Sequence, residues 1–386
     1  MVFGVVCEFN PFHKGHKYLF ERARELGADS LVCVMSGNAT QRGELSVADK
    51  YVRSEAAMRE GADLVLELPF PWCAASAEYF ARGAVSVLSE YCDVLIFGSE
   101  CGDTELLVKA AQIARSESFR AEYAARLESG RGAAEAYFSM LKEKSGVEFS
   151  SNDLLGIEYI RAIYDLDSKM KPIAIKREGI GYRDASLDDD LLPSATAIRE
   201  EWRRHGVAAT EKYLPREAFR VYLRAEAEGE LADIKEIDSA IVSFFRFHSG
   251  EELSRFAESG GGVAGRLCAA AHESVSAEEL LGAAASKRYT DAKLRRAMLF
   301  SITGVTQSDL SYLPRYTSLL ALAPKGREIL AATRKSERMP IVTKPADAPR
   351  ETAQFKASER LDALFTLATK QKKKSFAMLT KNIFIK

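Results

Sequence analysis

The chain has 386 residues, 47% hydrophobic and 28% charged, a globular composition and not a disordered one. That length exceeds one ordinary domain, so two or three are expected, and a core of that size needs neither disulfides nor structural metal. The net charge is −1, but residues 287–386 hold 21 Lys and Arg against 8 Asp and Glu, leaving −14 on the rest. A basic end on an acidic body suits a docked polyanion; a solvated helical surface with a lysine-rich tail fits the same count.

The first half alternates strand and helix signals. Val2 to Cys7 is a short apolar run with β-branched residues, hence a buried strand. A polar turn leads into a helix from about Gly15 to Leu26, with Leu19, Ala23 and Leu26 on one face. The pattern repeats with a strand at 30–35, a helix at 47–60 stopped by Gly61, a strand at 62–68, a helix at 74–91, a strand at 93–97 closed by Gly98, and a fifth strand at 172–176. Such βα alternation predicts a parallel, doubly wound sheet with its ligand at the carboxyl ends of the strands. Residues 103–145 read as a charged helical insertion. From about Ala197 helices dominate, with no strand expected before the last few residues, and 343–350 reads as a linker.

The six cysteines form no CxxC pair and no Cys/His cluster with zinc spacing, so no metal site is expected, and free thiols in apolar runs suit a reducing cytoplasm. The N-terminus lacks the charged and apolar regions of a signal peptide, and no apolar run approaches a membrane span. A cytoplasmic protein without membrane contact is expected.

The strongest chemical signal is Asn10-Pro11-Phe12-His13-Lys14-Gly15-His16, directly after the first strand. Gly15 permits close backbone approach, and a helix N-terminus attracts phosphate. His13 and His16, three residues apart, can both donate to a phosphate as charge builds in a transition state. Zinc fits less well, because no third ligand lies near in sequence.

This turn resembles the HxGH (HIGH-type) nucleotidyltransferases. Together with MSGNATQRGE at 35–44, GADLVLELPF at 61–70, FGSE at 97–100, SNDLLGIEYI at 151–160, IKREGIGYRD at 175–184, SATAIR at 194–199 and KRYT at 287–290, the chain resembles the tRNA(Met) cytidine acetate ligase family over most of its length. Leu45 stands where that family often has proline. Arg183 stands where it often has histidine, and is assigned no role.

The resemblance implies ATP-dependent activation of acetate to acetyl-adenylate, then acetyl transfer to the wobble cytidine of elongator tRNA(Met), with Mg²⁺ offsetting the pyrophosphate charge. The sequence as a whole reads as a Rossmann-like HxGH domain over 1–200, with the insertion at about 103–145, then an all-α, basic, tRNA-binding region over 201–386. His13 and His16 carry the catalytic role. ATP contacts fall on Cys7, Glu8, Phe9, Asn10, Pro11, Phe12, His13, Lys14, Gly15, His16, Lys17, Tyr18, Leu19 and Phe20, and on Gly98, Asn152 and Arg177. Gly98 also fits a turn glycine, and Asn152 a helix cap. Ser194, Thr196 and Arg199 resemble the second phosphate motif, and a capping Ser or Thr fits there too.

Ser36, Asn38, Gln41 and Arg42 are too polar for a minimal loop and are expected over acetate and the α-phosphate, although a solvated loop fits them too. Lys287, Arg288, Arg295, Arg296, Arg315, Lys325 and Arg327, with Tyr289 and Tyr316 interleaved, suit RNA phosphates and unpaired bases. Two other functions share these features: an adenylyltransferase acting on a small cofactor precursor, and an RNA-binding protein with an inactive nucleotide site. The basic helical region argues against the first, and the intact His13, His16 and SATAIR against the second.

Overall fold

Val2–Cys7 (β1) lies at the centre of a sheet, flanked by Ser30–Ser36 (β2) and Val94–Ser99 (β4), with Leu64–Leu68 (β3) beyond β2 and Lys171–Lys176 (β5) beyond β4; all five are parallel. The computed structural model describes residues 1–129, 131–177, 193–286, 288–333 and 339–386. Alternate residues of β2 feed opposite cores. Val32 and Val34 join one with Phe80, Leu107 and Ile157, and Leu31, Cys33 and Met35 join the other with Phe20, Val52 and Trp202. Burial on both faces is why these strands read as continuous apolar runs.

The first core is covered by Ala77–Leu88 (α3), Thr104–Arg115 (α4) and Ser151–Asp165 (α7). The second is covered by Lys14–Glu25 (α1), Lys50–Arg59 (α2), Ala195–His205 (α8) and Arg216–Ala227 (α9). The expected 47–60 helix begins only at Lys50, because the Asp49 carboxylate accepts the amides of Tyr51 and Val52 at 2.9 and 3.0 Å and caps it there. Residues 104–145 form three helices: α4, Glu117–Glu128 (α5) and Ala133–Ser145 (α6).

The expected parallel-sheet fold with a largely helical second part is what the chain forms, with one difference. The second part is not all-α. Thr317–Leu322 (β6) returns to the sheet antiparallel to β3, and Ile341–Val342 (β7) and Phe384–Ile385 (β8) pair with it. The run TSLLAL hides this, since Leu319 packs in one core and Leu320 and Ala321 in the other. A six-residue segment buried on both faces shows no alternation. The helices Asp238–Phe247, Val263–His272, Ala277–Ala284 and Asp291–Thr303 gather around a third core that includes Phe245, Leu267, Leu280 and Leu294.

Candidate active site

The strand order reverses at β1, between β2 and β4, and there the carboxyl ends open onto a cleft of about 1940 Å³. Cys7 to Asn10 after β1, Phe97 and Gly98 on β4, and Ile175 to Arg177 on and after β5 line its floor. This is the switch point where doubly wound sheets bind ligands. The volume is about twice the upper end of common small-molecule sites, roughly 1,000 Å³, so a nucleotide leaves room for a second group.

The turn after β1 is pinned by aromatics. Phe9 takes a left-handed conformation (φ 45°), and its ring meets those of Phe12, His16 and Phe20 at 4.8, 5.0 and 5.9 Å. Tyr222 Oη accepts the Phe12 amide at 2.9 Å and ties α9 to the turn. His13 caps α1: its Nδ1 accepts the Gly15 amide at 3.1 Å, and His16 Nδ1 accepts the His13 amide at 3.2 Å. Both Nδ1 atoms are thus acceptors, which assigns the proton of each neutral ring to Nε2. The rings lie 3.9 Å apart and both line the cleft.

Burial, then the Arg177 and Arg199 charges, press His13 down to about 3; burial, then His13 and Arg177, press His16 well down. The empty site therefore holds two neutral imidazoles whose remaining donors are Nε2–H groups. Because the folded state binds fewer protons than the unfolded chain between pH 6.5 and 3, stability is full above pH 6.5 and falls on acidification. His13→Asn keeps a capping acceptor and removes one titrating ring. Denaturant unfolding between pH 7 and 5 is expected to show a slope shallower by about 1.4 kcal/mol per pH unit below 6.5. An unchanged slope sinks the assignment of a neutral His13.

The two cationic groups beside the imidazoles come from the end of β5 and from α8. Arg177 follows β5, stands 45% exposed and has Nε 3.7 Å from Glu100 Oε1. A Cβ on Gly98 would fall 3.2 Å from Arg177 Cγ, so position 98 is kept clear for that side chain. Asn152 is not the cap of α7; Ser150 is, leaving the Asn152 amide to donate to Glu100 Oε1 at 2.6 Å. Ser194 caps α8 by accepting the Ala197 amide at 3.2 Å, and Thr196 Oγ1 accepts from Arg199 at 3.3 Å. Of that motif Arg199 lines the cleft, bonded to Asn10 O at 2.8 Å and paired with Glu44 at 3.2 Å.

Placement in the fold separates the other expected contacts. Cys7, Glu8, Phe9, Asn10, Gly15, Tyr18 and Leu19 line the cleft. Pro11, Phe12, Lys14, Lys17 and Phe20 do not: Phe12 and Phe20 are buried under the turn, and Lys17 points to Glu60. In the loop after β2, Gln41 and Arg42 line the cleft, whereas Ser36 at the end of β2 and Asn38 are fully buried. Asn38 donates to Asp362 and accepts the Lys50 amide, both at 2.8 Å, so it anchors the loop to the core.

Of the expected RNA contacts, Arg288 is exposed at the cleft. Arg295 lines it but pairs with Glu44 at 3.1 Å, and Arg296 is buried against Glu258 at 3.1 Å. Arg315, Lys325 and Arg327 lie outside the lining, and Lys325 bonds Asp29 O, at the opposite end of the sheet. Tyr316 is buried with Val342 and Phe355, so it offers no stacking face. Lys287 and Arg183 lie outside the described residues.

Sequence reasoning overlooked Arg53. It is fully buried on α2 and donates to the carbonyls of Ala48, Glu8, Ser36 and Gly37, joining the loops after β1 and β2. Glu8 accepts the Gln41 amide at 2.6 Å, and burial still pushes its carboxyl upward. An Arg on the first turn of an otherwise buried helix was the available signal, since a guanidinium is seldom buried without several acceptors.

The sheet order, the switch-point cleft and the capped HxGH turn define a nucleotide-binding α/β enzyme of the nucleotidyltransferase type. Residues 1–378 match the family model described as HIGH Nucleotidyl Transferase. The tRNA(Met) cytidine acetate ligase of Acetivibrio thermocellus is 33% identical over 368 residues, covering 90% of this chain and 88% of that protein. The one from Caldicellulosiruptor bescii is 35% identical over 337 residues, covering 85% and 84%. The crystal structure of Thermotoga maritima TmcAL bound with alpha-thio ATP matches with a TM-score of 0.87 at 30% identity, over 100% of this chain and 99% of that one. Its apo form matches with a TM-score of 0.90 at 31% identity. The chain belongs to the HIGH nucleotidyltransferases and, within them, to the tRNA(Met) cytidine acetate ligase family.

Proposed function

We propose that the protein activates acetate with ATP in this cleft and transfers the acetyl group to the exocyclic amine of the wobble cytidine of elongator tRNA(Met). The observation that carries the reading is the pair of Nε2–H imidazoles at the start of α1, at the sheet's switch point, with Arg177 and Arg199 beside them. Donors aimed at one spot stabilise charge that grows on a phosphate during attack, because they need no reorganisation at that moment.

An acetate oxygen attacks the α-phosphorus and pyrophosphate leaves. The cytidine amine then attacks the carbonyl carbon of the mixed anhydride, loses a proton, and AMP leaves with the bonding pair. His13 and His16 hold the phosphoryl oxygens in the first step, and Arg177 and Arg199 take the charge of the departing pyrophosphate. Gln41 and Arg42 face the acetate side. Residues 1–200 carry this chemistry in our reading, and residues 201–386 dock most of the tRNA, with Arg288 at the entrance.

Among the described residues no group of three His, Cys, Asp or Glu could hold a metal ion. Mg²⁺ therefore fits here as the counterion of the ATP phosphates, a role that needs one or two protein carboxylates at most. No described helix is long and apolar enough to cross a membrane. The six free cysteines and the tRNA substrate support a cytoplasmic setting.

The test is direct. Purified protein given ATP, acetate and tRNA(Met) forms acetylcytidine, read by nucleoside mass spectrometry, and cells lacking the gene lose that nucleoside. Acetate-dependent pyrophosphate release without acetylcytidine would point instead to a small-molecule acceptor.

A further inference from the structure

Beyond the nucleotide site the cleft runs on between two walls. One is the α5–α6 helical pair of the insertion, and the other is the C-terminal helical region around the Asp291–Thr303 helix. The walls meet where a Cβ on Gly132 would fall 3.2 Å from the Arg288 carbonyl oxygen. The charge of the lining departs from that of the chain. Thirteen Lys and Arg against seven Asp and Glu face this cleft, in a protein of net charge −1.

The insertion's cations are of three kinds, of which Lys109 is exposed away from the cleft with no ion pair among the described residues. Arg115, Arg126, Lys142 and Lys144 are ion-paired with neighbouring carboxylates. Arg120 and Arg131 face the cleft, exposed, and make no ion pair among the described residues. Beside them Phe138 is 47% exposed at the same cavity. On the opposite wall Arg255, Arg288 and Lys293 also lack an ion pair among the described residues. Cations without an ion pair on two walls, with an exposed aromatic on one of them, match the chemistry of a single-stranded RNA segment. Its phosphates take the cations and its unstacked bases take the ring.

We propose that the α5–α6 pair is the second jaw of an RNA clamp. Arg120 and Arg131 bind phosphates of the unpaired nucleotides flanking the reacting cytidine, and Phe138 stacks on one of their bases. This rests on the function proposed above and assigns the insertion a role within it. The reacting base then enters the cleft from between the jaws.

The experiment uses the full-length enzyme and tRNA(Met) over a salt series. Arg120→Glu/Arg131→Glu is expected to lower the slope of log affinity against log salt by about 0.7 per contact, about 1.4 for the pair, with acetate-dependent pyrophosphate release unchanged. Phe138→Ala is expected to weaken binding about 5- to 150-fold, the range of one base stacked on an aromatic ring, and Phe138→Trp to retain it. Wild-type affinity and slope in the charge-reversed variant overturn the clamp. So does loss of pyrophosphate release, which would make this wall part of the nucleotide site. If the wild type neither releases pyrophosphate with acetate nor acetylates tRNA, it is the proposed function that falls.

Discussion

Acetate-dependent pyrophosphate release is expected to fall about 100- to 1000-fold in His16→Ala, the usual loss when one preorganised transition-state donor is removed. The structure explains why the fold survives. The His16 ring meets Phe9 edge-on and Phe12 at a tilt, and accepts one amide hydrogen bond, from His13, while the cap made by His13 on Gly15 stays in place. Loss of half a capping box costs about 1 kcal/mol. Circular dichroism and the unfolding midpoint therefore stay close to wild type while the chemical step collapses. ATP affinity changes less than turnover, because the donor acts most strongly on the charge that develops during attack. Near-normal pyrophosphate release from the purified variant would show that the imidazole pair is not the catalytic device.

Lys50→Met is expected to lower the unfolding free energy by about 3–5 kcal/mol, the cost of breaking a buried ion pair from one side. Lys50 Nζ sits 2.8 Å from Glu67 Oε1 and 3.1 Å from Asp362 Oδ2, and the three side chains are 7%, 5% and 10% exposed. Burial already pushes the Asp362 carboxyl upward with the ammonium in place. Without it two carboxylates share a dry site, and one takes a proton. The folded variant then binds more protons than its unfolded chain, so it regains stability as pH falls from 7 toward 5. That is opposite to the loss that His13 imposes on the wild type.

Replacing all three charges, as Lys50→Met/Glu67→Gln/Asp362→Asn, recovers much of the deficit, since no unpaired charge remains. Urea unfolding at pH 7 and pH 5 measures both effects. A single variant that unfolds at the wild-type midpoint would mean that the network contributes nothing. Asn38 hangs from Asp362, so the single variant also loosens the loop that carries Gln41 and Arg42.

Physics that acts over a few residues was legible before any coordinates. Two histidines three apart, after a β-branched apolar run and around a glycine, had to form a strand–turn–helix junction with both rings at the helix start. Apolar runs separated by amphipathic stretches had to become parallel strands with helices on both faces.

What the sequence could not decide depends on residues far apart along it. Asp362 meets Lys50 across 312 positions, and Tyr222 reaches the Phe12 amide across 210. β6 reads as an anonymous apolar segment until β3 supplies an edge for it. The same distance effect divides the polar candidates. Gln41 and Asn38 belong to one loop, yet one faces the cleft and the other is sealed over Asp362. Arg288 and Arg296 belong to one basic stretch, yet only Arg296 lies against Glu258. Side-chain type and spacing carry the tendency to bind a phosphate. Whether a cation is free to do so depends on whether the fold brings it a carboxylate first, and that is settled by topology and burial.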